Sequence, residues 1–425
     1  MANKNKTTYY LFIIGVLYFV FGFVTWLNNV LIPFLQTACE LNDLQAWFVT
    51  FAFYIAYFVT AIPSSYVIKK TNYAKGMAIG LIIMMIGALL FIPAALSRNY
   101  IIFLVGLFVQ GSGLSLMQTA VNPYVTILGP IESAAKRMSI MGISNKIAGM
   151  IGMFLFSTVL LVDTKHIKEE IISLGNPSFL SGELLAQREV LLNQLAHHII
   201  KPYIIISVLL LLLALMVLFS KLPDIEDAED DEQGDGVSKP LYKYTYMFLG
   251  VIALFFYVGA EVIAIDSLNL FGAELGYSID VTRFFGPASL VALTLGYVLS
   301  IILVPKKIDQ RHALIYQTIL AIILTVVALL TSGTVSIICI ILLSFAHAIM
   351  WPAIWPLSLD KLGKHTKFAS ALLIMAIAGG AIIPLIYGSI ADSLSRHQAY
   401  IVLIPCYLVI LFFALYGYKI GKKKA

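Results

Sequence analysis

The chain is poor in charge and in cysteine. Only 12% of its 425 residues are charged, whereas 60% are hydrophobic. Soluble domains carry about a quarter charged residues, so this balance excludes an ordinary soluble protein and indicates that the bilayer is the solvent. Cys39, Cys339 and Cys406 are too few and too scattered for a disulfide framework or a metal site. No CxxC, HExxH or Walker-type glycine run occurs, which argues against a metal centre and an ATP-driven pump, and we predict no cofactor.

Long apolar runs fill the chain instead, enough for about twelve spanning helices of roughly 20 residues each. We therefore predict an all-α polytopic membrane protein with twelve transmembrane helices. The first run is too long for a signal-peptide core and has no small-residue cleavage site, so we expect it to remain as helix one. The predicted spans are 9–36, 46–68, 76–97, 101–128, 138–162, 202–221, 244–270, 282–304, 313–331, 334–358, 368–391 and 399–418.

Lysine and arginine in the loops predict the orientation, because short cytoplasmic loops carry the excess of positive charge. With both termini placed inside, the cytoplasmic segments include "NKNK", "KKTNYAK", "PKKIDQR", "KLGKHTK" and "KIGKKKA". The opposite side holds Arg98, Arg283, Arg396 and the few charges of loop 163–201. We expect a multi-pass protein of the bacterial inner membrane with both termini cytoplasmic. The net charge of +5 then reflects topological anchors, and we expect no nucleic-acid partner.

The chain divides into two halves that echo one another. We predict a six-helix bundle over 1–222, an acidic cytoplasmic linker over 223–240 and a second six-helix bundle over 241–425. "AKRMSIMGISNKIAGMIG" in the first half is matched about 230 residues later by "HTKFASALLIMAIAGGAI" in the second. Two six-helix halves in parallel repeat are the layout of the major facilitator fold. In the long loop 163–201, "SGELLAQREVLLNQLAHHI" predicts a short surface helix.

Polar side chains recur at membrane depth in several predicted helices. Neutral amides can donate to and accept from the hydroxyls of a sugar, and indoles can cover its apolar face. A purely hydrophobic ligand would leave those amides unpaired at a cost of about 1–3 kcal/mol each. Single amides can also serve as interhelical glue, but the set favours a sugar site. The predicted substrate-binding residues are Trp26, Asn28, Asn29, Gln118, Asn122, Asn145, Trp351 and Trp355.

Charged side chains inside the spans need a separate account. A charge at the centre of a membrane helix costs about 2.5–3.5 kcal/mol even on the mildest scale, and such residues face a cavity or each other. Lys146 can alternatively snorkel to the cytoplasmic end of its helix, and Asp266 can be interfacial. We predict Glu261, Lys146 and Asp266 as ion-coupling residues, with Glu261 first.

Several blocks carry a resemblance to a known family. They include "FGFVTWLNNVLIPFLQ", "QTAVNPYVTILGP", "YVGAE" and "LIMAIAGGAIIPLIYGSIAD". Together they resemble the fucose:proton symporter family of the major facilitator superfamily, and within it the bacterial glucose/galactose transporter branch. The similarity covers nearly all twelve predicted helices. It implies the major facilitator fold, a small sugar as substrate and a coupling cation.

The resemblance also exposes a departure. Fucose transporters of the family carry an Asp on helix one and a Glu on helix four that take up the coupling proton. At the matching positions this chain has Asn29 and Gln118, which do not titrate. The sugar-binding role can carry over to them, but proton coupling cannot. Asn145 matches an Asn of the family, whereas Lys146 stands where the fucose transporters have a small polar residue.

The function expected is import of a neutral hexose of the glucose or galactose type with a proton or sodium ion, by alternating access. An N-acetylglucosamine or mannose symporter remains an alternative, as does an exporter of a non-sugar compound on the same fold. A polytopic membrane enzyme would need clustered catalytic residues, and the seven histidines are dispersed; we predict no enzyme activity. We expect a monomer whose partners are the sugar, the cation and the lipid bilayer.

Overall fold

The computed structural model describes residues 2–127, 134–175, 180–220, 222, 243–304, 307–360, 362 and 365–421. Side chains are described in these ranges except at 2–8, 122–127, 134–139 and 366–368. The predicted linker 223–240 lies outside the described residues. All regular structure in the described part of the chain is helical.

Twelve helical segments among the described residues are long and apolar enough to cross a membrane. This confirms the predicted all-α, twelve-span architecture. They are numbered here from the first span to the twelfth: Tyr9–Ala38, Asp43–Thr71, Tyr73–Leu96, Tyr100–Val121, Ile140–Val162, Gly182–Phe219, Thr245–Asp266, Ile279–Leu303, Gln310–Leu330, Gly333–Leu359, Ala369–Ser393 and Arg396–Leu415.

The sixth span consists of two helices. Ile200–Phe219 is the apolar membrane helix, and Gly182–His197 precedes it. The second of these confirms the surface helix predicted within the loop 163–201, and Ser181 lies at its N-cap position in extended backbone, as its sequence signature predicts. A further helix in this loop, Lys165–Ser173, was not predicted.

Several spans are interrupted in the membrane. The helix Ala2–Thr25 ends before Trp26, and the first span resumes as Asn28–Ala38. The seventh span, Thr245–Asp266, ends before Ser267, and the chain continues beyond this break as the helix Leu268–Glu274, which is counted here with the seventh span. Because the first and seventh spans are the opening helices of the two halves, the interruptions occupy corresponding places in the repeat. Such paired interruptions mark the binding region in transporters built from repeats.

Close glycine contacts support the repeat. A Cβ on Gly149 of the fifth span would lie 2.3 Å from Trp26 Cδ1 of the first span. A Cβ on Gly379 of the eleventh span would lie 1.8 Å from the Phe255 carbonyl oxygen of the seventh span. Both glycines end the Ile-Ala-Gly of the sequence echo, and each allows its helix to pack tightly against the opening helix of its own half.

The two halves meet at one end of the bundle, called here the closed face, which carries the chain segments 39–42 and 394–395. The Asp43 side chain accepts a hydrogen bond of 2.7 Å from Arg396, and the Asp43 backbone N–H donates to Asp392 at 2.8 Å. The Trp47 and Tyr387 rings pack edge to face with centroids 5.4 Å apart. These contacts join the second span to the eleventh and twelfth, so the structure is closed at this end.

Candidate functional site

The interruptions of the first and seventh spans are in direct contact. Asn29 Nδ2 donates to the Ile265 carbonyl oxygen at 2.6 Å. Asn269 Nδ2 donates to both the backbone and the side-chain oxygen of Asn29, each at 2.8 Å. A Cβ on Gly286 of the eighth span would lie 2.6 Å from Asn29 Oδ1. In this conformation the Asn29 amide therefore bridges the two halves.

Trp26 and Asn28, which precede Asn29, have hydrogen-bond donors without a partner among the described residues. Trp26 is 4% exposed and Asn28 is 1% exposed. Trp26 Nε1 and Asn28 Nδ2 have no hydrogen-bond partner among the described residues. Buried donors are normally paired, so these two are the kind of group that a hydroxylated ligand or a water molecule would satisfy.

A charge pair lies beside Trp26 at the interface of the halves. Lys146 Nζ on the fifth span lies 3.9 Å from Glu261 Oε1 on the seventh, and the two side chains are 12% and 13% exposed. The same ammonium lies 4.4 Å from the centroid of the Trp26 ring, a cation–π distance. Lys146 therefore turns toward the centre of the bundle, which argues against the snorkelling alternative.

Besides Asn28 and Asn29, three predicted amides belong to the first half. Gln118 Nε2 on the fourth span donates to the Tyr57 hydroxyl at 3.2 Å, and the Gln118 side chain is half-buried. Asn145 Nδ2 on the fifth span makes a long hydrogen bond of 3.4 Å to the Tyr18 carbonyl oxygen. The side chain of the third predicted amide, Asn122, lies outside the described residues.

The predicted aromatic residues of the tenth span form one platform. The Trp351 and Trp355 rings stack with centroids 5.4 Å apart and planes at 22°. Both side chains are half-buried. Tyr257 of the seventh span lies 6.5 Å from Trp351 between centroids. The neighbouring His347 is fully buried and bonded through Nε2 to the Tyr407 hydroxyl at 2.8 Å, which gives it a packing role.

Asp266, the third predicted ion-coupling residue, is buried within the protein. It is 1% exposed, and neither of its carboxylate oxygens has a hydrogen-bond partner among the described residues. It ends the first helix of the seventh span, beside the Asn29–Ile265 contact.

Sequence reasoning missed the tyrosines that surround these groups. Tyr57 is the partner of Gln118, and Tyr54 stacks on Tyr57 with ring centroids 6.3 Å apart. Tyr54 and Tyr297 both lie within electrostatic range of Glu261. The spacing in "YIAY" places Tyr54 and Tyr57 on one helix face, but an apolar helix offers no sign of which face meets the other half.

A groove of about 1070 Å³ in the first half is separate from the central cluster. It runs between the fifth and sixth spans and the helix Gly182–His197, and His197 and His198 contribute to its lining. It contains none of the predicted site residues. Within the described residues, no group of three or more potential ligands could hold a metal ion.

The fold and this central cluster define a class of membrane transporter, and comparison with known proteins agrees. The family model of the Major Facilitator Superfamily matches residues 14–383. The chain therefore belongs to the major facilitator superfamily and is a transporter rather than an enzyme.

Individual relatives narrow the assignment. The chain is 33% identical over 416 residues to a glucose/galactose transporter of Brucella abortus, covering 95% of this chain and 93% of the relative. It is 30% identical over 410 residues to the L-fucose-proton symporter of Escherichia coli strain K12, covering 94% and 90% of the two chains. The crystal structure of the transporter FucP in the outward conformation matches with a TM-score of 0.71 and 27% identity over 97% of this chain and 99% of that one. The resemblance to the fucose:proton symporter family and its glucose/galactose branch is confirmed.

Proposed function

We propose that the protein imports a neutral hexose of the glucose or galactose type together with a cation, by alternating access of its two halves. The observation that carries this proposal is the cluster at the interface of the halves. There, buried donors of Trp26 and Asn28 lie beside the Lys146–Glu261 charge pair. The relatives named as glucose/galactose transporters support the choice of substrate.

The sugar would be held by amides from one half and indoles from the other. The Trp351–Trp355 stack offers a flat apolar face to the C–H side of a hexose. Gln118, Asn28 and Asn145 offer neutral donors and acceptors to its hydroxyls, and Asn122 is proposed with them from its sequence position. Asn29 would join the site only when the halves separate, since its amide is otherwise engaged.

The cation would act through Glu261. Because Asn29 and Gln118 cannot titrate, a charged group elsewhere must respond to the gradient. Lys146 neutralises Glu261 in this conformation at 3.9 Å. A proton or sodium ion that arrives at Glu261 would compete with Lys146, and release of the lysine would free it from the interface of the halves. Loading of the cation would thus change a contact between the halves, as coupled transport requires.

In this scheme the protein acts as a monomer in the bacterial inner membrane with both termini in the cytoplasm. The closed face is then periplasmic, and the structure corresponds to a state sealed toward the outside. An N-acetylglucosamine or mannose symporter would use the same groups. A non-sugar exporter is disfavoured because an apolar ligand would leave buried amides unpaired.

Counterflow in proteoliposomes tests the proposal. The purified protein is reconstituted in liposomes loaded with unlabelled glucose, galactose, mannose or N-acetylglucosamine, and uptake of labelled sugar is measured with imposed proton and sodium gradients. We expect counterflow with glucose or galactose, and accumulation that depends on one of the two gradients. Absence of counterflow with all four sugars would contradict the sugar assignment, whereas counterflow without gradient-driven accumulation would contradict coupling.

A further inference from the structure

Asp266 is a buried carboxylate without a counter-charge. Its side chain is 1% exposed, and both oxygens lack a hydrogen-bond donor among the described residues. The adjacent hydroxyl does not serve it, because Ser267 Oγ donates to the Ile263 carbonyl oxygen and pairs with the Tyr400 hydroxyl, both at 2.6 Å.

The cations of this interface are engaged by other carboxylates. Lys146 lies against Glu261 at 3.9 Å. Arg396 binds Asp43 at 2.7 Å and approaches Glu274 at 3.8 Å. The arrangement therefore neutralises three acidic groups and leaves Asp266 without a positive partner in the part of the chain that the structure describes.

The neighbours of Asp266 that the structure describes include apolar, phenolic and acidic side chains. Val262, one helical turn earlier on the same face, packs with Tyr54 of the second span around Gly380 of the eleventh, where an added Cβ would lie 3.1 Å from each side chain. Among the described residues, Tyr54 and Glu261 interact electrostatically with Asp266. A second negative charge near Glu261 would add repulsion to the cost of burial.

An ionised carboxylate in this position is strongly disfavoured, because burial removes its hydration and no hydrogen-bond donor replaces the lost water. Protonation removes the charge and most of that cost. A sodium ion would need several oxygen ligands, as hard cations do, yet the Ile263 and Ile265 carbonyl oxygens already accept hydrogen bonds. The proton fits better than the sodium ion.

We propose that Asp266 binds a proton whenever the closed face is sealed, and exchanges it with water when the two halves separate there. Separation breaks the Asn29–Ile265 and Asn29–Asn269 contacts next to Asp266, which opens its surroundings to solvent. Each time the closed face seals, the Asp266 carboxylate takes up one proton and becomes the neutral acid. The proposal rests on the proposed symport and adds a second proton-binding carboxylate to Glu261, one without a lysine competitor.

Infrared difference spectroscopy of the full-length protein in lipid nanodiscs tests this assignment. At neutral pH the wild type should show the carbonyl stretch of a protonated carboxylic acid, and Asp266→Asn should lose it. Glu261→Gln should keep the band, because the band is assigned to Asp266, whereas Glu261 lies against Lys146. Asp280→Asn, at an exposed ion pair with Lys165, is the matched carboxylate control and should also keep it.

A band that persists in Asp266→Asn, or that disappears in Glu261→Gln instead, overturns the assignment. So does a wild-type band that vanishes when sodium replaces potassium at constant pH, because the site would then bind sodium. If Asp266→Asn fails to fold, Asp266→Glu replaces it, and the band should shift in frequency; an unshifted band refutes the proposal. Counterflow of wild type is a separate readout, so failure of the transport proposal leaves the spectroscopic result intact.

Discussion

Removal of the Glu261 charge should separate sugar exchange from accumulation. In Glu261→Gln the carboxylate proposed to respond to the cation is gone, whereas Trp26, Asn28 and the indole platform remain. We expect counterflow to persist and gradient-driven accumulation to be lost. The assay is uptake of labelled sugar by proteoliposomes, measured with and without the gradient. Accumulation at wild-type levels in Glu261→Gln would refute the coupling role.

The size of the structural effect follows from the geometry. Two unit charges about 4 Å apart attract by about 4 kcal/mol at an effective dielectric constant near 20, and Lys146 and Glu261 are separated by 3.9 Å. Removing one partner of a buried pair costs about 3–5 kcal/mol, because the other charge is stranded. Because both side chains keep a small exposure to solvent, we expect a loss at the lower end of this range, about 3 kcal/mol of unfolding free energy.

A double-mutant cycle separates the interaction between Lys146 and Glu261 from the other effects of each substitution. Lys146→Met and Glu261→Gln should each destabilise the protein, and the double variant should lose less than the sum by about 1–3 kcal/mol. The measurement is denaturant unfolding in detergent micelles for all four proteins. If the two losses simply add, the two groups do not interact in the folded state, and Lys146 cannot be the competitor that the cation displaces.

Three further predictions concern the sugar site and the closed face. Gln118→Ala should weaken sugar binding about 5- to 100-fold while expression is kept, since a polar partner left unpaired costs about 1–3 kcal/mol. Wild-type affinity in a direct binding assay would make Gln118 an interhelical hydrogen-bonding residue only. Trp351→Ala and Trp355→Ala should each weaken sugar affinity, one more than the other, and unchanged affinity in both would remove the platform from the site. Gly388→Ala should hinder sealing of the closed face, because its Cβ would lie 2.6 Å from an indole carbon of the second span. The transport rate should fall relative to the control Gly142→Ala, whose Cβ meets nothing within 4 Å. Equal transport rates in the two variants would contradict this prediction.

The helices were predictable because hydropathy and the repeat are properties of the chain alone. The echo of Ile-Ala-Gly predicted equivalent positions, and Gly149 and Gly379 both pack against the opening helix of their own half. The interruptions in the first and seventh spans were not predicted. Neither contains a proline at the break, so no local signal distinguishes Trp26 or Ser267 from a residue within a continuous helix.

The partners within the site were less predictable than its members. Polarity at membrane depth marked Asn29 and Glu261, but it carried no information on whether a side chain faces a cavity or the other half. Asn29 bonds to Ile265 across the interface, and the tyrosine partner of Gln118 lies 61 residues away in sequence. The first pairing depends on how the two bundles dock, and the second depends on how two helices pack within the first bundle. Neither arrangement is encoded in a local stretch of the sequence.

Docking of the halves explains why neutral amides can occupy positions where fucose transporters carry acids. An amide such as Asn29 can donate to a backbone carbonyl and accept from Asn269 at the same time, so this contact between the halves does not depend on pH. A carboxylate in the same place would accept only, and it would have to bind a proton before it could donate to the Ile265 carbonyl oxygen. Replacing the acid by an amide therefore removes proton dependence from that contact. In the proposed mechanism the response to the cation comes from the neighbouring carboxylates of the seventh span. Glu261 has a lysine to release, whereas Asp266 has none among the residues that the structure describes.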